Sequence, residues 1–598
     1  MGDKVNVIGT LEPLNNNTNF NLFNYKKYML SKNTYYMMKA NNIKLIKANK
    51  NVLFKLKNNL INRINKIKRS DYLKLFILGD NSYIDKDVKN SYSINGISHL
   101  FSISGMHITL LSGIILYLLN KIKKTKFNYS IVIIVLLVFV FLTNFTPSVI
   151  RATMLFIFLY FNKIFNFNLS TFKIILFIMI VVLIINPYNI YNVGFLFSYI
   201  ISIYLIIFSK IINKYKGYLF KILITSFISF LVSIPILINN FFSINLVSIF
   251  NNIIFVPLIS LIIFPLSLIT LLIPKIDYIY ILVINILESF SLFITRFKIE
   301  ITLKHTSIFI IIFYFLLITL ILNKMLKNNY KYLLLLVIVL FIHANINYII
   351  KKNFINFIDV GNGDSSLLRL NHKTILIDTG GNMFYELSTN LINYLKSEGI
   401  FKLNYLILTH GDYDHMGEAI NLVNNFEVEK VIFNCGEFNE LEKELIKVLN
   451  KKKIPYYSCI KELNITDNKL YFLNNKDYGN ENDNSSVIYT ELNNYKFLFM
   501  GDASVEVEED LIEKYSLKNI DVLKVGHHGS KTSSGIEFIN EINPKYSIIS
   551  VGKNNRYGHP NDNVLENLES SKIYRTDQDG SIMFKIKRSE LSVDTCAP

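Results

Sequence analysis

Three stretches with different hydrophobic periods make up the chain. From residue 99 to residue 350 long apolar runs alternate with short polar connections. Crossing the hydrocarbon core takes about 20 predominantly apolar residues in a helix. Ten runs approach that length, near 100–119, 129–145, 150–165, 174–187, 192–209, 220–239, 246–273, 278–295, 307–322 and 332–350. The seventh is too long for one straight span and holds Pro257 and Pro265, which predicts a broken or re-entrant helix. Residues 354–598 return to soluble composition. Short apolar strands such as "FINFIDV", "KTILIDT", "NYLILT" and "KVIFN" alternate there with polar helical stretches at 388–397 and 440–452, the pattern of an α/β domain. Before the apolar runs, "VNVIGTLEPL" alternates like a strand and "NNNTNFN" reads as a loop. From Lys44 to Lys74 ten Lys and Arg stand among Leu, Ile and Phe with one Asp, which predicts a basic amphipathic helix on a membrane surface. The expected division is therefore 1–43, 44–98, 99–350 and 354–598.

Composition changes this picture little. The 598 residues are rich in Ile, Asn and Lys and contain no Trp, so single Asn or Lys residues carry little information. A net charge of +18 suits nucleic acid or a lipid surface, or reflects Lys residues that anchor membrane helices. Three cysteines, at 435, 459 and 596, show no CxxC spacing and cannot form a closed disulfide framework. Met1 to Thr10 lack the apolar core of a cleavable signal.

Charge in the connections gives an orientation. One set carries Lys121, Lys123, Lys124, Lys126, Lys163, Lys173, Lys210, Lys214, Lys216, Lys221, Lys275, Lys324, Lys327 and Lys331; the other carries only Arg296, Lys298 and Lys304. Positive residues are retained in the cytoplasm. With an even helix count, the N-terminal segment and the C-terminal domain both lie outside a multi-pass cell-membrane protein.

The candidate chemistry collects in residues 354–598. Asp378 ends "ILIDTGG"; "LTHGDYDH" supplies His410, Asp412, Asp414 and His415 directly after a strand; "FLFMGDAS" places Asp502 at another strand end; "LKVGHHGSKTSS" places His527 and His528 at a third; "RYGHP" adds His559. Two divalent metals need several nitrogen and oxygen donors on rigid supports with one position open. His and Asp packed into six residues serve two ions from one loop, and Asp502 is the natural bridge between them. A lone strand-end Asp or His is ordinarily a loop residue, but four such residues in six are seldom accidental. The expected metal ligands are His410, Asp412, Asp414, His415, Asp502, His527 and His528, with Asp414, His559 and Lys531 in catalytic roles and Asp364, Asp378 and Asn484 in support. "GHHGSKTSS" fails as a phosphate loop because Ser530 interrupts it, so any ATP-driven motor is a partner. Lys524, Ser530 and Lys531 are instead candidate contacts to a phosphate backbone.

These motifs resemble the metallo-β-lactamase superfamily, whose usual loop is His-x-His-x-Asp-His. Here Asp412 replaces the second His, and "NDNSSV" (Asn482, Asn484, Ser485) stands where the superfamily has another His. Fewer, harder donors favour Mn²⁺ or Mg²⁺ over Zn²⁺ in one of the two positions. The combination with "GISHLFSISGMHITLL", "ILGDNSYI", "PSVIRATM", "NPYNIYNVGFLFSY" and "NNIIFVPL" resembles the ComEC family of DNA-internalisation competence proteins; so do "FIDVGNGDSSLL", with Asn362 where Gln is usual, and "YRTDQDGSI".

That resemblance implies a partial OB-like module in "GTLEPL" and "FNLFNYKKYMLSKN", a multi-helix channel, and a hydrolase domain. It implies import of one DNA strand while the other is degraded, a DNA receptor and an ATP-driven helicase as partners, and a possible homo-oligomer. The family commonly carries helices before the OB-like module, so the sequence is either truncated or dispenses with them. Two alternatives stay open: a channel whose hydrolase-like domain only binds DNA, and a membrane-anchored metallohydrolase without transport. Within the spans, ionisable groups are costly and suggest function. His107 and Arg151 are candidates to meet DNA, or else a buried hydrogen-bonding residue and an interfacial anchor; Glu288 reads as facing a polar neighbour. Ser102, Ser104 and Gly105 permit close helix packing.

Overall fold

A computed structural model describes residues 2–49, 51–123, 125, 127–382, 387–587 and 590–597; Lys124 and Lys126 of the orientation argument lie outside them. The chain forms two compact units. One comprises Met1–Leu14, Lys26–Ile301 and Thr306–Ile338; the other comprises Asn15–Tyr25, Thr302–His305 and Val339–Pro598.

In the first unit, β1 (Lys4–Pro13) pairs antiparallel with β2 (Tyr36–Lys47). A Cβ at Gly9 would lie 2.2 Å from the Lys39 carbonyl, so glycine lets the strands close at the bulge. Lys44 and Lys47 are thus strand residues, and the expected basic helix is only Val52–Asn65, capped by Asn51. Arg69, at φ 55°, ends that stretch. Nor does the segment lie free on a surface. Ile64, Ile67, Tyr72, Leu73 and Phe76 are buried with Phe255, Ile259 and Phe264 of a membrane helix, and Lys57 donates to Asn144 at 2.7 Å. Ile64, at the end of the helix, packs on the bundle, while Val52, Leu53 and Leu56 at its start stay exposed.

Each of the ten apolar runs is helical. Ser98–Ile122, Tyr218–Asn240, Ser248–Leu272, Pro274–Phe297 and Ile308–Leu326 are long and apolar enough to cross a membrane. Phe127–Leu142, Thr171–Ile185, Val193–Ile207 and Tyr330–Ala344 are apolar but shorter, and Pro147–Ile164 carries Arg151. The seventh run is not broken. A wide π-type turn at Leu258–Ile263 joins Ser248–Pro257 to Phe264–Leu272 as one continuous helical stretch, with Pro257 and Pro265 flanking the turn. β3 (Ser243–Asn245) and β4 (Glu300–Thr302) pair between these helices. Glu288, inside a span, accepts from Arg69 and from the Tyr72 hydroxyl at 3.0 Å, so its polar neighbour is a cation.

The second unit is a sandwich of two sheets. The first contains β5 (Asn353–Phe357), β6 (Ser366–Leu370), β7 (Lys373–Ile377), β9 (Tyr405–Ile407), β11 (Val431–Phe433), β12 (Tyr456–Ser458), β20 (Ile582–Lys587) and β21 (Glu590–Thr595), in the order β12-β11-β9-β7-β6-β5-β20-β21. A two-stranded ribbon of β8 (Lys402–Leu403) and β10 (Glu427–Val428) lies apart from it. The second contains β13 (Glu462–Ile465), β14 (Asn468–Phe472), β15 (Ile488–Leu492), β16 (Tyr495–Phe499), β17 (Val522–Lys524), β18 (Tyr546–Ile549) and β19 (Lys572–Arg575), in sequential order. Strands β7, β9, β11 and β12 run parallel, as do β16 to β19. Ile355, Phe357, Ile375 and Ile407 meet Phe472, Phe497, Phe499 and Ile548 between the sheets. Helices Ser388–Ser397 and Glu440–Lys452 cover one outer face, and Val505–Lys514 and Ile536–Ile542 the other. Strands covered on both faces read as unbroken apolar runs, which is why they stood out in the sequence.

Two distant segments complete this unit. Ser581 donates its backbone N–H to the Thr18 carbonyl at 2.7 Å, Asn19 donates to the Asp359 carbonyl at 2.8 Å, and Phe20 and Leu22 pack on the core. Lys304 lies 2.6 Å from Glu398. Cys435 and Cys459, just past β11 and β12, are disulfide-bonded, and Cys596 is free. The three cysteines therefore divide into one staple across neighbouring strands and one leftover.

Candidate metal centre

Parallel strands deliver their C-terminal ends to one edge of the sandwich, and every motif lies there. Asp378 follows β7, His410 to His415 follow β9, Asp502 follows β16, and His527 and His528 follow β17. The backbone is bent for the purpose: Asp378, His527 and His528 all have positive φ (58°, 44° and 53°), an uncommon state for residues other than glycine and one that gathers at functional sites.

His415 Nε2 lies 3.1 Å from Asp502 Oδ1. His528 Nε2 lies 3.4 Å from Asp414 and 3.8 Å from Asp502. His410 Nε2 lies 3.7 Å from Asp412 and 3.9 Å from Asp502. Asp502 thus converges with His410 and His415 on one side and with Asp364 and His528 on the other, Asp414 joins His415 and His528, and Asp412 meets the cluster only through His410. Buried Nε2 atoms of His410, His415 and His528 and the Oδ1 of Asp502 have no hydrogen-bond partner among the described residues. Orphaned buried polar atoms are costly, and donors of this kind converging on one space fit a divalent cation. His527 is a quarter exposed, 3.8 Å from Asp502, and its Nδ1 lies 3.2 Å from the Thr532 hydroxyl, placing it at the margin.

A second set of residues fixes the imidazoles. Asp378 Oδ2 lies 2.9 Å from His415 Nδ1 and accepts from the Thr409 hydroxyl at 2.7 Å, while its Oδ1 accepts from the Thr409 N–H at 2.8 Å. His528 Nδ1 faces the Ser550 carbonyl at 2.9 Å and Asp364 at 3.5 Å. These contacts leave both Nε2 atoms turned to the metal space. Burial alone would raise the Asp502 carboxyl; the His415 and His528 imidazoles overcome it and hold the group well below the usual carboxylate range. Burial likewise opposes the charge on His415, but Asp502 and Asp378 raise it well above its ordinary value. Protons and a cation therefore compete for the same donors.

The position lacking a histidine is occupied by Ser485. Its hydroxyl lies 3.3 Å from His410 Nδ1 and accepts the Asp502 N–H at 3.0 Å, so it orients two donors without reaching the metal space. Asn484 is nearly buried, accepts from the Tyr478 N–H and donates to Asp477, and so shapes the loop. Two carboxylates stand behind the His410–Asp412 loop that sequence reasoning missed. Glu481 accepts the Gly411 N–H at 2.5 Å, and Glu442, pushed up to about 7 by burial, caps helix Glu440–Lys452. A Cβ at Gly411 would lie 2.1 Å from Asn439 Nδ2, so only glycine passes there.

The phosphate-contact candidates separate. Lys524 is buried with its Nζ 2.6 Å from Asp364; an internal counter-ion cannot meet a phosphate backbone, and that expectation is corrected. Ser530 is buried and accepts from the Thr532 hydroxyl, so it too is a turn residue rather than a surface contact. Lys531 is exposed beside it. His559 is half-buried, 6.1 Å from the His527 ring. In the first unit His107 is fully buried: it completes the cap of its helix with Ser104, sits between Phe76 and Phe264, and its Nε2 has no partner among the described residues. Arg151 donates to Ser202, its Nε has no partner, and a Cβ at Gly105 would lie 3.0 Å from its Nη2.

Sheet order and donor set define a metal-dependent hydrolase domain of the metallo-β-lactamase superfamily, carried on a membrane-helix domain. The superfamily's model matches residues 358–553, and the competence-protein model matches residues 76–328. ComE operon protein 3 of Bacillus subtilis is 28% identical over 98% of this chain and 81% of its own length. Competence protein ComA of Neisseria gonorrhoeae is 28% identical over 38% of this chain and 32% of its own, and recombination protein 2 of Haemophilus influenzae is 29% identical over 40% and 29%. The chain therefore pairs a domain that matches competence proteins with a metallo-β-lactamase domain, the combination that its resemblance to the ComEC family implies.

Proposed function

We propose that the protein takes up DNA during competence, its helices passing a single strand and its C-terminal domain cutting phosphodiester bonds of the other. The carrying observation is the convergence of orphaned His410, His415, His528 and Asp502 donors in a chain whose other half matches competence proteins. In this reading Asp414, His415, His528 and Asp502 hold one ion, and His410, Asp412 and Asp502 hold a second, of which Mn²⁺ suits the hard donors best, with Zn²⁺ or Mg²⁺ as the other candidates. Such ions lower the pKa of water and clamp phosphate oxygens. Asp378 and Ser550 keep the imidazoles aimed, half-exposed Asp412 and Asp414 face the entrance, Lys531 attracts the phosphate, and His559 supplies a proton to the leaving oxygen. Asp502→Ala in the full chain should abolish Mn²⁺-dependent cleavage of duplex DNA; undiminished cleavage, or cleavage surviving excess chelator, rejects the assignment. The DNA-binding-only alternative draws on one observation, Ser485 in place of a histidine.

The reading places residues 354–598 outside the cytoplasm, and three features support it. Positive charge is concentrated on the opposite connections. A disulfide joins Cys435 to Cys459, which suits an oxidising compartment. Residues 302–305 and 339–598 share one unit, so the C-terminal domain lies on the side of Lys304, among the sparsely charged connections, with the apolar helices Ile308–Leu326 and Tyr330–Ala344 between them. A DNA receptor, an ATP-driven helicase and a second copy of the chain are the partners this role calls for.

A further inference from the structure

A second polar cleft opens at the other end of the sandwich. It lies at the turn between β6 and β7, at the opposite end of β7 from Asp378, roughly 20 Å away along the strand. Asn347, Tyr348, Arg369, His372, Phe401 and Lys402 line it. Arg369 is only 3% exposed, yet its Nε has no partner among the described residues; its Nη2 donates to the Asn347 carbonyl at 2.9 Å. The Nδ1 of His372 is also buried without a partner, and the ring stacks on Tyr348 at 5.6 Å. A buried guanidinium with a spare donor beside an imidazole with a spare nitrogen is an arrangement waiting for an anion.

Nearby carboxylates are already engaged. Glu398 is taken by Lys304 and Asn21, and Glu429 by Lys402 and Asn404. The enclosed space is about 30 Å³, room for one water-sized atom, so a single anionic oxygen enters and the rest of the ligand stays in the mouth. That mouth is amphipathic. Tyr348, Ile349, Ile350 and Phe401 are each more than 40% exposed, and Lys351 and Lys352 follow. All but Phe401 belong to the segment directly after the apolar helix Leu333–Ala344, and Tyr and Lys following an apolar helix are residues that commonly meet a membrane surface.

We propose that this cleft binds the phosphoryl group of an anionic lipid headgroup, Arg369 and His372 holding the oxygen while the exposed apolar side chains enter the interface. The site is distinct from the metal centre and does not depend on its chemistry.

The test uses the full chain in nanodiscs of phosphatidylcholine with or without phosphatidylglycerol, followed by native mass spectrometry after mild detergent release. The wild type should retain one phosphatidylglycerol, and His372→Ala should need about tenfold more phosphatidylglycerol to reach the same occupancy. Arg369→Gln should behave likewise and Arg369→Lys intermediately; His372→Ala, at a half-exposed position, keeps the test decisive if the Arg369 variants misfold. Equal retention by wild type and His372→Ala overturns the proposal. Inorganic phosphate protecting the wild type against heat in pure phosphatidylcholine, with no selective lipid retention, identifies a free-phosphate site and overturns the lipid source. Occupation by a short oligonucleotide without lipid retention overturns it as well.

Discussion

Replacing Asp378 with Asn changes one atom and sets two neighbours in conflict. The native carboxylate accepts from three groups: the Thr409 N–H at 2.8 Å, the Thr409 hydroxyl at 2.7 Å and His415 Nδ1 at 2.9 Å. An amide offers one acceptor oxygen. If that oxygen faces Thr409 N–H, the NH₂ group faces His415 Nδ1, which then accepts; the ring proton moves to Nε2 and the metal donor is lost. If the oxygen faces His415, the Thr409 N–H meets a second donor in a buried place. Either outcome leaves one buried group unsatisfied, at about 1–3 kcal/mol, or roughly 10- to 100-fold in metal affinity. Calorimetric titration of Mn²⁺ into the full chain, purified metal-free, measures this directly. Thr409→Val combined with Asp378→Asn should cost less than the sum, because the two share a hydrogen bond. Wild-type Mn²⁺ affinity in folded Asp378→Asn would refute the idea that Asp378 sets the His415 tautomer.

Arg151→Leu should lower DNA import several-fold at normal abundance while metal-dependent cleavage persists, with Arg151→Lys partly restored because charge remains and the planar fork does not; transformation frequency with immunoblotting reads this out, and unchanged import reduces Arg151 to an anchor. A reporter active only in the cytoplasm, fused after Lys352, should be silent, and a strong signal would reverse the proposed topology. Glu508, buried against the Ser534 and Gly535 N–H groups, has its carboxyl raised to about 7 by burial. The folded state holds that proton more tightly than the unfolded chain, so Glu508 lowers stability as pH rises from about 4.5 to about 7, by up to about 3 kcal/mol. In denaturant titrations across that range Glu508→Gln should flatten the fall, and an unchanged slope would exclude the effect.

The metal loop was legible because four donors sit within six residues and the strand before them is unbroken apolar sequence. The helices were legible because lipid demands long apolar runs. What escaped depends on partners far away in the chain. Lys524 looked like a surface cation until Asp364, on another sheet, neutralised it. Ser485 looked like a missing ligand and is an orienting hydroxyl. Pro257 and Pro265 signalled a break under a local rule, whereas a wider turn satisfied the backbone at less cost. The basic helix was read too long because Lys44 and Lys47 belong to β2, whose partner β1 lies far back in the chain.

The joining of Thr18 and Asn19 to Ser581 and Asp359 imposes an order of assembly. A ribosome adds Ser581 more than 560 residues after Asn19, with every membrane helix threaded in between. Until then the early segment has no sheet to join, and the sandwich lacks the strap that covers the end of β5 and the start of β20. A copy stalled in synthesis, or one with a helix left on the wrong side, brings the two ends to opposite faces of the membrane and cannot close the strap. Closure of the C-terminal sandwich thereby waits on the placement of the helices that lie between its two segments.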